Sequence, residues 1–213
     1  MEIRTAIKRS DIGNGAAIMY QLKDTEMIFV FTGPDGSGRR TVADMVGATL
    51  GIKKVLSYTT RQPRPTEVDG QDYHFVSVDS FLKAKDDGDF VETVNHNGNW
   101  YGIKLKNIVE LLADNDFVYL IISASGARVL KQTFGEKVTR IFIYADREKV
   151  LERQRLLGAS DQIVQSHIET YDDEMAYMEE CKHSFENNDL AHTVFAVTNI
   201  LEEVLDRGLV DKD

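Results

Sequence analysis

The sequence predicts an α/β fold in which a mainly parallel β-sheet is flanked by helices. Short, continuous apolar runs recur along the chain, and stretches with helical spacing of apolar residues separate them. A strand that is buried on both faces has a continuous apolar run, and strands that alternate with helices favour parallel pairing. A glycine-rich turn between the first apolar run and the first helix is a further observation in favour of this class.

Length and composition fit a soluble globular protein with one full-sized core. The chain has 213 residues, of which 42% are apolar and 28% charged, and only 3 are prolines. Its net charge of −10 argues against nucleic-acid or membrane partners but permits a local cationic site. Cys181 is the only cysteine, which excludes an internal disulfide and fits a reducing cytoplasm. We expect a cytoplasmic monomer or homodimer.

The first elements follow from the patterns around the glycine-rich turn. Residues 1–26 mix charges of both signs and are expected to form an extension ahead of the first strand. The run "MIFVFT", residues 27–32, is predicted as a buried strand. Residues 41–51, "TVADMVGATLG", have apolar side chains at helical spacing, and Gly51 is the expected stop of this helix.

Residues 57–104 change character and predict a small β-rich lobe inserted into the α/β core. The stretch "YHFVSV" alternates between polar and apolar residues, as a sheet strand does. "DFVETV" and "NWYGI" are predicted as further short strands, joined by a hairpin turn at "NHNGN". The core is then expected to occupy residues 27–56 and 105–213.

The core resumes with an amphipathic segment around residues 106–112. "FVYLIIS" and "RIFIYA" are predicted as buried strands. The helices predicted after them are "DREKVLERQRLLG", "DQIVQSHIETYDDEMAYMEEC" and "AHTVFAVTNILEEVLDRGL", the last ending at Gly208.

The stretch "GPDGSGRRT", residues 33–41, has the glycine spacing of a phosphate-binding loop, and we call it the phosphate loop. Backbone N–H groups can turn inward here, and the N-terminal end of the next helix adds positive charge. Such loops carry a lysine and then a serine or threonine, where this chain has Arg39 and Arg40. Arg39 keeps the charge on a broader fork, Arg40 offers no oxygen to Mg²⁺, and Thr41 comes one position late. A tight turn without a ligand is the alternative interpretation.

The stretch "SYTTRQPRPTEVDGQDYHFVSVDSF", residues 57–81, resembles the guanylate kinase family, whose members carry S-x-T-T-R-x-P-R-x-x-E-x-x-G-x-D-Y-x-F-V at this point. "FVE", "WYGI", "GA" and "NNDL" also match. The resemblance extends from about residue 27 to the C-terminus. It implies a P-loop kinase core, an NMP-binding lobe at residues 57–104 and a helical lid at about residues 152–168.

The resemblance also implies a site for GMP in the inserted lobe. Arg61 and Arg64 are three residues apart with Pro63 stiffening the turn, so two guanidinium groups can converge on one phosphate. Ser57 and Glu92 are expected to recognise the guanine edge, since a carboxylate can accept hydrogen bonds from its N1 and N2 donors. The other residues implied for GMP binding are Glu67, which orients the arginines, Tyr73, Tyr101 and Ser123.

For the donor, the resemblance implies ATP with Mg²⁺. The residues expected to bind the ATP phosphates are Gly33, Gly36, Ser37, Gly38, Arg39, Arg40 and Thr41. The family's "LDID" is "LIIS" here, so Ile121 and Ser123 replace two acids, and Ile103 replaces a hydroxyl after "YG". These departures weaken the expected metal site and one contact to the base.

The lid departs further from the family pattern. "LLGAS" has Gly158 where the family has an arginine, and the arginine of the next helix aligns near His167. Arg153 and Arg155 lie close by and could substitute, or they could form an exposed helical face. His167 is expected on the surface of its helix.

Three interpretations remain open from the sequence. The first is a guanylate-kinase-like phosphotransferase that converts ATP and GMP into ADP and GDP, with reduced activity and with Arg39, Arg61, Arg64 and Arg153 as its catalytic residues. An arginine on the transferring group is typically worth about 10³–10⁵ in rate, so its loss is serious. The second is a catalytically impaired GMP- or GDP-binding sensor or interaction module. The third is a kinase with altered nucleotide preference.

Overall fold

A five-stranded parallel sheet forms the centre of the molecule. The structure is a computed structural model that describes residues 22–96, 98–156 and 158–210. The strands within these residues are β1 (Met27–Thr32), β2 (Lys53–Lys54), β3 (Tyr58–Thr59), β4 (His74–Phe75), β5 (Phe90–His96), β6 (Asn99–Lys104), β7 (Phe117–Ile121), β8 (Val138–Tyr144) and β9 (His183–Glu186). The central sheet has the order β2-β7-β1-β8-β9 with every pairing parallel. The predicted α/β class is confirmed.

Helices cover both faces of this sheet. The helices within the described residues are α1 (Arg39–Leu50), α2 (Val78–Asp86), α3 (Leu105–Asp114), α4 (Ala124–Phe134), α5 (Arg147–Leu156), α6 (Asp161–Ala176) and α7 (Leu190–Val210), of which α2 packs on a second sheet instead. Short 3₁₀ turns follow α4 at Gly135–Lys137 and α6 at Tyr177–Glu180. None of the helices within the described residues has the length and apolar character needed to cross a membrane.

The alternation of β1 divides the core into two layers. Ile28 and Val30 are fully buried on the face that packs against α3 and α4. Phe29 and Phe31 point to the opposite face, where α1 and α7 cover them. Both faces of β1 are therefore apolar, which explains why its sequence is a continuous apolar run.

A second, four-stranded sheet of order β4-β3-β6-β5 faces the phosphate loop. Its β5 and β6 form an antiparallel hairpin, and Asn97, within the predicted turn "NHNGN", lies outside the described residues. Helix α2 packs on the sheet through Phe81, whose ring stacks on Phe90 at a centroid distance of 4.5 Å.

The structure corrects several predicted boundaries. "YHFVSV" is not one strand, because β4 ends at Phe75 and the Ser77 hydroxyl caps α2 by accepting from the Ser80 N–H. Gly208 does not end the last helix, which continues to Val210; a glycine inside a helix costs only about 1 kcal/mol. The predicted long helix from residue 161 ends at Ala176 and tightens into a 3₁₀ turn.

Other elements had no prediction or lie outside the described residues. The sequence patterns did not identify α4, which is capped by the Ser123 hydroxyl, nor the short strands β2 and β9. The first 21 residues of the predicted extension lie outside the described part of the chain.

Candidate active site

A cleft of about 840 Å³ separates the phosphate loop from the smaller sheet. Most of the residues predicted for both nucleotides line it: Gly36, Gly38, Arg39, Arg40, Thr41, Ser57, Arg61, Arg64, Glu67, Tyr73, Glu92, Tyr101, Ser123 and Arg153. Two predicted loop residues, Gly33 and Ser37, do not line the cleft and are buried beneath it. The fold thus brings residues from distant parts of the sequence to one cavity.

The backbone of the phosphate loop is held by close contacts that only glycine permits. Gly33 has a φ of 133°, and a Cβ there would lie 1.9 Å from the carbonyl oxygen of Ile143. Gly38 has a φ of 86°, and a Cβ there would lie 2.4 Å from Asn187 Nδ2. That amide donates to the Ser37 carbonyl at 2.8 Å. The loop is therefore fixed by β8 and by the residues after β9.

Arg39 is neutralised within the loop itself. Its Nη2 lies 2.7 Å from Asp35 Oδ1, and both side chains are largely shielded, at 21% and 31% exposed. His167 Nε2 lies 3.8 Å from the other Asp35 oxygen and is only 14% exposed, so His167 is not on the helix surface as predicted. The charge of Arg39 is therefore shared with a carboxylate before any phosphate binds.

Glu174 of α6 joins this cluster from the opposite side. Its Oε2 accepts from the Asp35 backbone N–H at 3.2 Å. Burial, together with the nearby charge of Asp35, raises the pKa of Glu174 to about 7. A carboxyl group with a raised pKa consequently lies beside the phosphate loop.

Arg153 of α5 contacts the phosphate loop, whereas Arg155 is exposed. The Arg153 guanidinium donates to the Ser37 carbonyl at 3.1 Å and to the Asn187 carbonyl at 2.7 Å. Arg155 is exposed and does not line the cleft. Of the two alternatives from the sequence, the exposed helical face thus fits Arg155 and does not fit Arg153.

In the smaller lobe, Glu67 binds the side chain of Arg61 and the backbone of Arg64. Its carboxylate accepts two hydrogen bonds from the Arg61 guanidinium, each of 2.8 Å, and one from the Arg64 backbone N–H at 2.7 Å. The hydrogen bond from Arg61 lowers the pKa of Glu67, and the same contact raises the pKa of Arg61. Arg61 is held in place, while the Arg64 side chain is exposed at the cleft.

Two tyrosines lie beside Arg61 in the cleft. The rings of Tyr73 and Tyr101 are 6.1 Å apart at their centroids, in an edge-to-face arrangement. The guanidinium carbon of Arg61 lies 5.5 Å from the Tyr73 ring centroid. Tyr73 is 8% exposed, so its ring is part of the lobe's core while its hydroxyl faces the cleft side.

Glu92 is held at the other end of the cleft by two serines. Its Oε1 accepts from the Ser123 hydroxyl at 2.5 Å and its Oε2 from the Ser125 hydroxyl at 2.7 Å. A Cβ at Gly126 would approach Oε2 to 2.6 Å. Each carboxylate oxygen keeps a further lone pair for donors of a ligand, and Ser57 lines the same cavity.

Sequence reasoning missed Asp35, Ser125 and Glu174 as site residues. Asp35 and Ser125 are ordinary polar residues in the sequence, and Glu174 is one of several acids on α6, so none of them had a signal. Asn187 belongs to the "NNDL" piece that matched the family pattern, which was the one available signal for it.

The residues at the donor side do not fit a magnesium ion held by the protein. A guanidinium stands at position 40 in place of a metal-binding hydroxyl, and Ile121 has no oxygen in its side chain. The Ser123 hydroxyl is engaged by Glu92. Within the described residues, no three His, Cys, Asp or Glu side chains are grouped to hold a metal ion. Magnesium therefore fits this cleft only as part of an ATP substrate.

A phosphate loop that faces an arginine- and tyrosine-rich lobe across one cleft defines a P-loop protein of the nucleoside monophosphate kinase class. A sequence model described as guanylate kinase matches residues 25–204. The chain belongs to the guanylate kinase family.

Individual relatives agree over most of the chain. A guanylate kinase of Chlorobaculum tepidum is 32% identical over 188 residues, which cover 87% of this chain and 96% of that protein. A guanylate kinase of Fusobacterium nucleatum is 30% identical over 176 residues, which cover 82% of this chain and 95% of that protein. The crystal structure of guanylate kinase from Anaplasma phagocytophilum matches with a TM-score of 0.66 at 29% identity, covering 86% of this chain and 88% of that one.

Proposed function

We propose that this protein transfers the γ-phosphoryl group of ATP to GMP, giving ADP and GDP. The observation that carries the proposal is the single cleft lined both by the phosphate loop and by Arg61, Arg64, Tyr73 and Tyr101. Two phosphate-binding arrangements that face each other are what a transfer between two nucleotides requires.

The acceptor site follows from its hydrogen-bond groups. Arg61, Arg64 and the two tyrosine hydroxyls are proposed to hold the GMP phosphate, with Glu67 orienting the arginines. Glu92 is proposed to accept from the guanine N1 and N2 donors, with Ser57 and Ser123 beside it. Adenine presents no such pair of donors, so Glu92 favours guanine over adenine.

The donor site is proposed to consist of the phosphate loop, whose backbone N–H groups and helix terminus attract the ATP phosphates. Arg39 takes the position of the usual lysine. Residues 57–104 are proposed to be the NMP-binding lobe and residues 152–168 the lid, which close over the core and exclude water.

Chemistry in this site needs positioning more than proton transfer. An anionic oxygen of the GMP phosphate forms a bond to the γ-phosphorus, while the bond from that phosphorus to the bridging oxygen breaks and its electron pair remains on ADP. Because the attacking oxygen is already deprotonated, a general base is not required. Orientation and charge neutralisation by the arginines supply the catalysis.

Turnover is proposed to be slow. Arg39 is partly neutralised by Asp35, and Gly158 stands where the family pattern has a lid arginine. Arg153 uses two of its five N–H donors on backbone carbonyls, which leaves fewer of them for a phosphate. These three features reduce the positive charge or the number of N–H donors available to the transferring group.

The test is a coupled assay of ADP formation with MgATP and each of the four common nucleoside monophosphates. Turnover with GMP and little with AMP, CMP or UMP is expected, and Arg61→Ala should remove it. GMP binding without product above background would support the binding module in place of the kinase. Comparable rates with GMP and AMP would support altered nucleotide preference.

A further inference from the structure

We propose that Arg40, although part of the phosphate loop, is a ligand of the acceptor phosphate. In this role Arg40 is a third arginine of the GMP site that reaches across the cleft from the donor side. The inference rests on the proposed function, and it differs from the sequence expectation that Arg40 contacts ATP.

The geometry places the Arg40 guanidinium against the acceptor lobe. Arg40 is in the first turn of α1 and is exposed to the cleft. Its Nη2 donates to the Tyr73 hydroxyl, and its guanidinium carbon lies 4.7 Å from the centroid of the Tyr73 ring. Arg61 lies 5.5 Å from the same centroid. Arg40 therefore shares one tyrosine with the arginine that is proposed to hold the GMP phosphate.

Among the described residues, the charge of Arg40 is not neutralised by a carboxylate. Asp44, one helical turn further along α1, pairs with Lys54 at 2.8 Å and accepts from Tyr119 at 2.9 Å. Within the described residues, no carboxylate forms an ion pair with Arg40, whereas Arg39 pairs with Asp35. A guanidinium has five N–H donors, and the Tyr73 hydroxyl takes one of them. The remaining donors are available to an anion in the cleft.

The direction of the side chain distinguishes acceptor from donor. ATP phosphates are expected over the backbone N–H groups of the loop. The Arg40 side chain instead extends away from the loop and ends at the hydroxyl of Tyr73, a residue of the proposed GMP site. A hydroxyl in place of Arg40 would be too short to reach across the cleft. Arg40 thereby links the two nucleotide sites, because its backbone belongs to one and its charge to the other.

The test measures ligand affinities by calorimetry, without turnover. GMP, guanosine and ADP are titrated into the wild type and into Arg40→Ala, Arg40→Lys and Arg61→Ala. For Arg40→Ala we expect GMP affinity to fall about 10- to 100-fold, the usual effect of losing charged hydrogen bonds, with guanosine and ADP affinities unchanged. Arg40→Lys keeps the charge but loses the fork, so we expect an intermediate GMP affinity.

Lys53→Ala is the control, since it removes one positive charge from an exposed position outside the cleft, the lid and the NMP-binding lobe. Its GMP affinity should equal that of the wild type, and unchanged circular dichroism should show that each variant folds. If Arg61→Ala weakens GMP binding and Arg40→Ala does not, this inference is overturned and the proposed function stands. A loss of ADP affinity alone in Arg40→Ala also overturns it. If Arg61→Ala leaves GMP affinity unchanged, the proposed acceptor site is contradicted, and with it both the proposed function and the role of Arg40.

Discussion

At the scale of single residues, the arginines of the cleft differ in what already holds them. Arg61 is fixed by two hydrogen bonds to Glu67, Arg39 is neutralised by Asp35, and Arg153 is held by backbone carbonyls. Arg61 and Arg39 are thus both paired with a carboxylate, but Arg61 lies in the smaller lobe, beside the proposed acceptor phosphate, and Arg39 lies in the phosphate loop. The role of each arginine therefore depends on its partner and not on its residue type.

Glu92 is the residue on which guanine selection is expected to depend. Glu92→Gln replaces one accepting oxygen by an NH₂ donor that opposes the donors of guanine. We expect kcat/KM for GMP to fall about 100-fold, as for a charged hydrogen bond lost and one unpaired donor gained, with little change for AMP. Steady-state assays with both nucleotides measure this.

Ser125→Ala is the control, since it removes only one of the two hydroxyls that orient Glu92. A smaller loss, about tenfold, is expected there. Equal losses for GMP and AMP in Glu92→Gln would argue against base recognition by this carboxylate.

The buried carboxyl group of Glu174 is expected to make the stability of the folded protein depend on pH. Because its pKa in the fold is raised to about 7 from 4.5, the folded protein binds more protons than the unfolded chain between these values. The folded protein therefore loses stability as the pH rises from about 4.5 to about 7, because Glu174 must give up its proton in the fold. Glu174→Gln keeps an acceptor for the Asp35 N–H and does not titrate, so its stability relative to the wild type should rise with pH, by up to about 3 kcal/mol.

Urea unfolding of both proteins at pH 5 and pH 8, without nucleotide, checks this. Asp35→Asn is an informative companion, because it removes the negative charge that contributes to the raised pKa of Glu174. If the free energies of unfolding of the wild type and of Glu174→Gln differ by the same amount at both pH values, the raised pKa of Glu174 is contradicted.

At the scale of elements, the phosphate loop is positioned by β8 and not by its own sequence alone. The carbonyl of Ile143 on β8 fills the space in which a side chain at Gly33 would stand. The neighbouring strand thus fixes where the loop leaves β1, and this contact couples site geometry to sheet packing.

Gly33→Ala is expected to destabilise the protein by about 3 kcal/mol or more, because both a positive φ and an overlap with backbone are involved. Gly51→Ala provides the matched control. Gly51 also has a positive φ, of 67°, but a Cβ there meets nothing within 4 Å, so only the backbone cost of about 1–2 kcal/mol should appear. Denaturant unfolding of both variants measures the difference, and equal losses would show that the contact with Ile143 is relieved cheaply.

At the scale of the whole molecule, the two sheets meet the same cleft from opposite sides. The phosphate loop belongs to the central sheet, and most of the proposed GMP-binding residues belong to the smaller sheet and its loops. The contact between Arg40 and Tyr73 bridges the two parts. A ligand that binds both sides should therefore stabilise the molecule as a unit.

GMP at about 100 times its dissociation constant should stabilise the fold by about 2.7 kcal/mol. For a chain of this size, that corresponds to a rise in Tm of about 5–10 °C. Differential scanning fluorimetry with GMP checks this, and guanosine at the same concentration should give a much smaller rise. Arg61→Ala should lose the response to GMP; a full response in that variant would contradict the proposed site.

The sequence predicted those elements whose pattern is local. The run at β1 and the glycines after it identify a strand and a phosphate loop without any tertiary information. The "YHFVSV" stretch was wrong as a single strand because its alternation was stronger than the one capping signal of Ser77, and α4 was not predicted at all. Such errors arise where capping and packing against other elements, rather than periodicity, decide the outcome.

The sequence by itself thus determined the α/β class, the phosphate loop and the residue types of an acceptor site, because glycine spacing and the "TTRQPR" motif are local properties. Only the tertiary structure decided how their charges are distributed. Asp35 against Arg39, Glu174 against Asp35, and Arg40 against Tyr73 are contacts set by helix and lobe placement. Such contacts depend on distances between chain segments that no local pattern encodes, so the same arginines have different partners and different roles.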